Sequence, residues 1–218
     1  MNYDPKELIE QALSKQRPRS EIHLHRTKAA QYSGYFDLHL SFRAYLHIKF
    51  TSVPRALWPQ FFELSDGIAN VVQPRFGIAH MFWPSTIPWQ NERQRLHRWM
   101  NFAAQTAPVN FGPKGPLGLG NRTYMNGEMI ELFGKEAIQS APVIRKELDW
   151  NGVRLDIADP LWEAAPEELL DSWLQAMEHL RSTEVTATPT FSEDRRTVHF
   201  EVNHQWKTYI SQLTNSEA

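Results

Sequence analysis

The chain is predicted to adopt an α+β fold, with helices packed on one face of a largely antiparallel, twisted sheet, and three features carry that reading. From Phe36 to Phe50 every second residue is apolar (Phe36, Leu38, Leu40, Phe42, Ala44, Leu46, Ile48, Phe50), and between them stand Asp37, His39, Ser41, Arg43, Tyr45, His47 and Lys49. Successive side chains on a strand point to opposite faces, so this alternation marks an antiparallel sheet covered on one side; a buried parallel strand would read as a continuous apolar run. Apolar residues recur at helical spacing after Pro54 and again after Pro166. The alternation argues against a doubly wound α/β enzyme, and strands and helices mixed without regular βαβ repetition point to helices on a largely antiparallel sheet.

In chain order, a short amphipathic helix is expected over Pro5 to Lys15, with Leu8, Ile9 and Leu13 on one face and Pro5 in its first turn. The alternating segment is too long for one straight strand, at roughly 50 Å against a usual five or six residues, so it is bent, bulged, or two strands joined by a turn near Ser41 to Tyr45. Pro54 opens a helix with Leu57, Trp58, Phe61, Phe62, Ile68, Ala69 and Val72 inward, expected to cover the apolar face of that sheet, and Pro74 ends it. A short strand over Arg75 to Trp83 leads into an ordered loop, WPSTIPW, and then a helix from about Glu92 to Gln105. The Gly- and Pro-rich stretch 108–121 reads as a connecting loop, so the chain is one domain, 1–218, or two halves joined there. A helix over about Met125 to Ser140, interrupted or ended at Gly134, precedes two strands, Val143 to Asp149 and Val153 to Ile157, whose Asn151-Gly152 turn is a strong hairpin signal. Pro166 starts the clearest helix, with Leu169, Leu170, Trp173, Leu174, Met177 and Leu180 on one stripe. A last strand is expected over Thr197 to His204, with Trp206 and Tyr209 packed behind it and a frayed tail from Ser211.

With 218 residues the chain can bury a sizeable core, aromatic in character with eight Trp, twelve Phe and six Tyr. Having no Cys, it has no disulfide framework, no thiolate chemistry and none of the commonest structural zinc ligands. No signal-peptide pattern and no stretch near the ~20 apolar residues of a membrane span is present, so a cytoplasmic, soluble protein without membrane contact is expected. The net charge of −2 hides an uneven distribution. Residues 1–146 hold eighteen Lys and Arg against eleven Asp and Glu, whereas residues 147–178 hold nine acids against Arg154 alone. An acidic surface there would attract a basic partner and repel nucleic acid, although acids near a helix start are also ordinary solvated residues favoured by the helix dipole.

No catalytic signature appears. The GPKGPLGLGN stretch lacks the Gly-Lys-Ser/Thr of a P-loop and the G-x-G-x-x-G of a dinucleotide loop, and no G-x-S-x-G elbow occurs. His23 and His25 share a strand face with Glu21 as a third candidate ligand, but His39 and His47 are eight residues apart, roughly 26 Å along a straight strand, and no metal or other cofactor is assigned. Trp58, Trp99 and Trp173 lie on helical stripes and read as core. Trp83, Trp89 and Trp162 lie beside Pro in loops, where a rigid aromatic either fills the core or anchors a partner.

The segments LWPQFFELSDGIANVVQPRFGIAHMF, MIELFGKEAI, VIRKELDWNGVRLDIADPLW and EELLDSWLQAMEHL together resemble a family of bacterial type VI secretion and polymorphic-toxin immunity proteins, through element order and scattered residues over about half the chain. The resemblance implies a cytoplasmic protein without enzymatic activity that binds a cognate toxin effector and occludes its active site. The acidic, Trp-bearing segment suits a basic toxin surface, with Asp156, Asp159, Trp162, Glu163 and Glu167 as the expected contact. The alternative is a small enzyme or ligand-binding domain using the polar sheet face of Tyr35, His39, Arg43 and Tyr45, with His39 as acid or base.

Overall fold

In the computed structural model the described residues are 21–27, 31–37, 45–104 and 115–216. The helix expected over residues 5–15, residues 38–44 with His39 and Arg43, and the first part of the Gly/Pro-rich stretch lie outside them. The chain divides into two compact units, residues 1–57 and 58–218. The class is α+β: among the described residues there are three antiparallel sheets, of three, four and two strands, and six α-helices.

The first unit holds β1 (Glu21–Arg26), β2 (Tyr32–Asp37) and β3 (Tyr45–Phe50) in that order. The long alternation therefore resolves as two antiparallel strands, with Phe36 opposite Leu46 and Tyr35 opposite His47. This register keeps the period, so Phe36, Leu46, Ile48 and Phe50 share one face with Ile22 and Leu24, while Tyr35, His47 and Lys49 share the other with His23 and His25. At Gly34, opposite Ile48, a Cβ would stand 2.2 Å from the carbonyl oxygen of His47, so only glycine lets these strands approach as they do.

The second unit begins with α1 (Trp58–Val72), preceded by a 3₁₀ turn at Arg55–Leu57. Gln73 takes a left-handed conformation before Pro74, and β4 (Phe76–Ala79) follows. Asn91 caps α2 (Glu92–Ala103), its Oδ1 accepting from the Gln94 amide at 3.0 Å. The central strand β5 (Arg122–Asn126) runs where the sequence predicts the start of a helix at Met125. The helical part is two short pieces, α3 (Gly127–Phe133) and α4 (Lys135–Ser140), separated at Gly134, whose φ of 89° breaks the helix at the position the sequence marks. The hairpin of β6 (Ile144–Leu148) and β7 (Gly152–Asp156) turns at Asn151, φ 58°, as its Asn-Gly predicts. The helix α5 (Pro166–Leu180) is followed by a separate hairpin, β8 (Thr188–Phe191) with β9 (Val198–Glu201), and by α6 (His204–Ser216), which continues helically beyond Ser211 where fraying is expected.

The four-stranded sheet has the order β4-β5-β7-β6, every pair antiparallel. Its two faces differ in chemistry. One carries Met125, Val153 and Leu155 into a core shared with Met129 and Phe133 of α3, Ile138 of α4 and Leu169, Leu170 and Trp173 of α5. The other carries Arg122, Tyr124, Arg154 and Asp156, which meet Ser65 and Asp66 of α1. Every residue from Gly115 to Met125 is buried, so the second half of the Gly/Pro-rich stretch is core backbone rather than a surface connection. Leu119 is fully buried, and its carbonyl accepts a 2.8 Å hydrogen bond from the indole of Trp173.

Candidate functional site

The acidic segment of the sequence begins at the end of β7 and runs into α5. Between them the chain is pinned at intervals. The Ile157 amide donates to the Asn121 carbonyl at 3.1 Å, and the Glu163 amide to the Pro160 carbonyl at 3.2 Å. Ile157, Leu161 and Ala164 are buried. With these anchors pointing inward, Asp159 and Glu163 are exposed, and Trp162 between them is half-buried with its ring 6.4 Å from that of Phe62 in α1. Of the five residues expected to contact a partner, Asp159 and Glu163 face outward, and Trp162 between them packs partly against the core.

Asp156 does not join them. It is 5% exposed, because its carboxylate is held inside a charged layer between α1 and the sheet. Arg122 donates to it in a two-pronged bond, Nε to Oδ1 at 2.7 Å and Nη2 to Oδ2 at 2.9 Å, and Arg154 Nη2 approaches Oδ2 at 3.1 Å. Arg122 Nη1 also reaches the Phe62 carbonyl at 3.1 Å and Asp66 Oδ2 at 3.0 Å, and Arg154 Nη1 reaches the same Asp66 oxygen at 2.9 Å. Tyr124 donates to Asp66 Oδ1 at 2.7 Å, with Ser65 Oγ 2.7 Å from the same hydroxyl. Two guanidinium groups thus face two carboxylates, so the layer is neutral as a whole, and its buried charges are paired as low-dielectric surroundings require. Burial pushes the Tyr124 phenol well above its usual range, and the Asp66 carboxylate beside it adds to the shift. The guanidinium of Arg122 also lies 5.0 Å from the centre of the Phe62 ring, which carries Trp162 on its other contacts. Chemically this layer fixes α1, β5 and β7 to one another, and thereby the base of the Asp159–Glu163 group.

Glu167 is exposed but not at liberty. Arg93 of α2 donates to it, Nε to Oε2 at 2.9 Å, and also to Asp171 one turn further along α5. The buried His97 donates from Nε2 to Glu167 Oε1 at 3.1 Å. The hydrogen bonds from Arg93, then His97, hold the Glu167 carboxyl below its usual range, and Arg93 does the same to Asp171. The acidic stretch is consequently less acidic as a surface than as a sequence. Asp156 is neutralised inside and Glu167 and Asp171 are clasped to α2, while Asp159, Glu163 and Glu168 are the other exposed acids at this end.

None of Asp66, Arg122, Tyr124 or Arg93 stands out in the sequence, since each acts through a partner 34 to 88 residues away. The local signal that could have pointed to them is the alternation of Val153 and Leu155 with Arg154 and Asp156, which puts two charges on a strand that the hairpin places inside the sheet.

Elsewhere, the polar face of the three-stranded sheet gathers rings around Tyr35, with Tyr45 at 5.6 Å, His47 at 5.7 Å and His23 at 6.3 Å. Burial, then the charge of Lys49, lowers the pKa of His47. The residues His39 and Arg43 of the alternative reading lie outside the described residues. A groove of about 210 Å³ lies between β6 and the helices α3 and α4, bordered by Glu131, Lys135, Arg145 and Glu147. Among the described residues no group of three or more His, Asp or Glu is placed to hold a metal ion, and no helix is long and apolar enough to cross a membrane. Comparison with protein-family models, with curated proteins and with solved structures finds no match for the chain.

Proposed function

We propose that this chain is a cytoplasmic, non-enzymatic immunity protein that binds a cognate bacterial toxin effector, of the type VI secretion or polymorphic-toxin kind, and occludes its active site. The observation that supports the reading is the Asp159–Glu163 group: two exposed carboxylates flank a half-buried Trp162 on a turn anchored by Ile157, Leu161 and Ala164. An aromatic anchor with a charged rim is the usual make-up of an energetic centre in a protein interface. The exposed acids would speed encounter with a basic toxin surface, and Trp162 would set the dissociation rate. In this reading Asp156 and Glu167 act from behind, by fixing the turn and the start of α5, rather than by touching the toxin.

The test is capture of the partner with the tagged full-length chain from its source bacterium, followed by expression of each captured protein alone and together with this chain. The expected result is one stoichiometric partner that arrests growth alone and is neutralised by coexpression. That protection should be lost when Asp159→Lys, Trp162→Ala and Glu163→Lys are combined in a variant that still melts cooperatively. Capture of no growth-arresting protein, or full protection by the triple variant, would refute the assignment.

A further inference from the structure

We propose that β6 is a self-association edge, to which a second copy of this chain adds its own β6 antiparallel about a two-fold axis through Lys146, joining two four-stranded sheets into one. The strand is outermost in the sheet order and pairs with β7 on one side only among the described residues. Its other side presents a row of backbone donors and acceptors, and Ile144, Arg145, Lys146 and Glu147 are all exposed. Proteins guard such edges with charges, but the charges on β6 are arranged to complement themselves. A two-fold axis at Lys146 sets Arg145 of each copy opposite Glu147 of the other, and Ile144 opposite Leu148 on the other face. Arg145 and Glu147 already lie on one face with their charged ends 2.8 Å apart, so pairing closes two ion pairs into an alternating square of four charges. That face borders the groove beside α3 and α4, which leaves room for the incoming side chains.

Symmetry requires the interface to be isologous, so each complementary pair occurs twice and each mismatch is doubled. Lys146 is the one mismatch, standing opposite its own copy, and like charges directly opposite one another weaken a strand pair. The contact is a single strand of five residues, small beside a standard interface, so a dissociation constant in the micromolar range or weaker is expected.

Sedimentation equilibrium of the full chain from about 1 to about 500 µM reads the association directly. The wild type should show a concentration-dependent dimer. Arg145→Glu or Glu147→Arg should each weaken it by about tenfold or more, and the double exchange Arg145→Glu with Glu147→Arg should return it to near the wild-type value. Lys146→Ser should tighten it. All four changes lie on an exposed edge, and an unchanged melting curve confirms that each variant is folded. A monomer throughout the range for both the wild type and Lys146→Ser would overturn the proposal, as would a double exchange no better than the single changes. Amide-exchange protection of β6 that appears only when a toxin partner is added, with the chain monomeric, would also overturn it and assign the edge to that partner. Because β6 contributes nothing to the Asp159–Glu163 group, loss of self-association leaves the immunity reading untouched, and the reverse also holds.

Discussion

Removing the carboxylate of Asp156 would leave the buried guanidinium of Arg122 and that of Arg154 to share the single carboxylate of Asp66. Breaking a buried pair from one side costs about 3–5 kcal/mol, because the remaining charge stays buried. Asp156→Ala is therefore expected to lower the free energy of unfolding by that amount in urea denaturation, whereas Asp159→Ala should change it by less than about 0.5 kcal/mol. The contrast separates a structural acid from a surface one three residues away. His80 offers a second residue-level test. Its ring is half-buried, with Nε2 3.4 Å from Asn101 Oδ1, and loss of hydration lowers its pKa to about 4, only partly opposed by the hydrogen bond to Asn101. The folded state thus favours neutral imidazole, and its contribution to stability is complete above the ordinary histidine pKa near 6.5. As pH falls below that, the unfolded chain takes up a proton that the folded one refuses, so stability drops until pH reaches about 4. Stability should therefore fall with pH across this window, and the slope of unfolding free energy against pH should flatten in His80→Leu.

At the scale of elements, two devices hold helices in place, and they differ in strength. The clasp of Arg93 on Glu167 and Asp171 ties α2 to α5 at the surface, where each side chain is 43% or more exposed. Solvent screens such pairs, so Arg93→Ala is expected to cost at most about 1 kcal/mol, less at high salt, measured by thermal unfolding in low and high ionic strength. The packing of α1 is another matter. Phe62 is fully buried, faces Trp162, and lies beneath the Arg122 guanidinium. Phe62→Ala should cost about 3–5 kcal/mol in the same measurement.

At the scale of the molecule, residues 58–218 contain every fully buried side chain among the described residues, from Phe62 to Trp206. A fragment starting at Trp58 is expected to unfold cooperatively by itself, which circular dichroism melting would show. Much of this unit is legible in the sequence, because its elements announce themselves locally. The period of α5, the Asn151-Gly152 turn and the break at Gly134 each depend on residues within a few positions. The strand β5 was hidden for the opposite reason. Arg122, Thr123 and Tyr124 are buried polar residues whose partners lie on α1, β7 and the backbone of Gly120, so no alternation of apolar and polar residues survives there. The same blindness affects the candidate site. Counting charge along 147–178 treats every acid as solvated, and only the fold reveals that Asp156 and Glu167 are matched by Arg122 and Arg93 from distant parts of the chain.

The charged layer under α1 has a consequence for how this protein can change over generations. Oily contacts tolerate one exchange at a time, since a neighbour of similar bulk keeps most of the packing. Asp66, Arg122, Arg154 and Asp156 do not, because each answers at least two of the others through bonds of fixed direction. Any lineage that abandons one must pass through a badly weakened intermediate or replace several together. In an alignment of relatives these four positions should be kept or lost as a set, while Asp159 and Glu163, a few residues along, drift singly with whatever surface they meet.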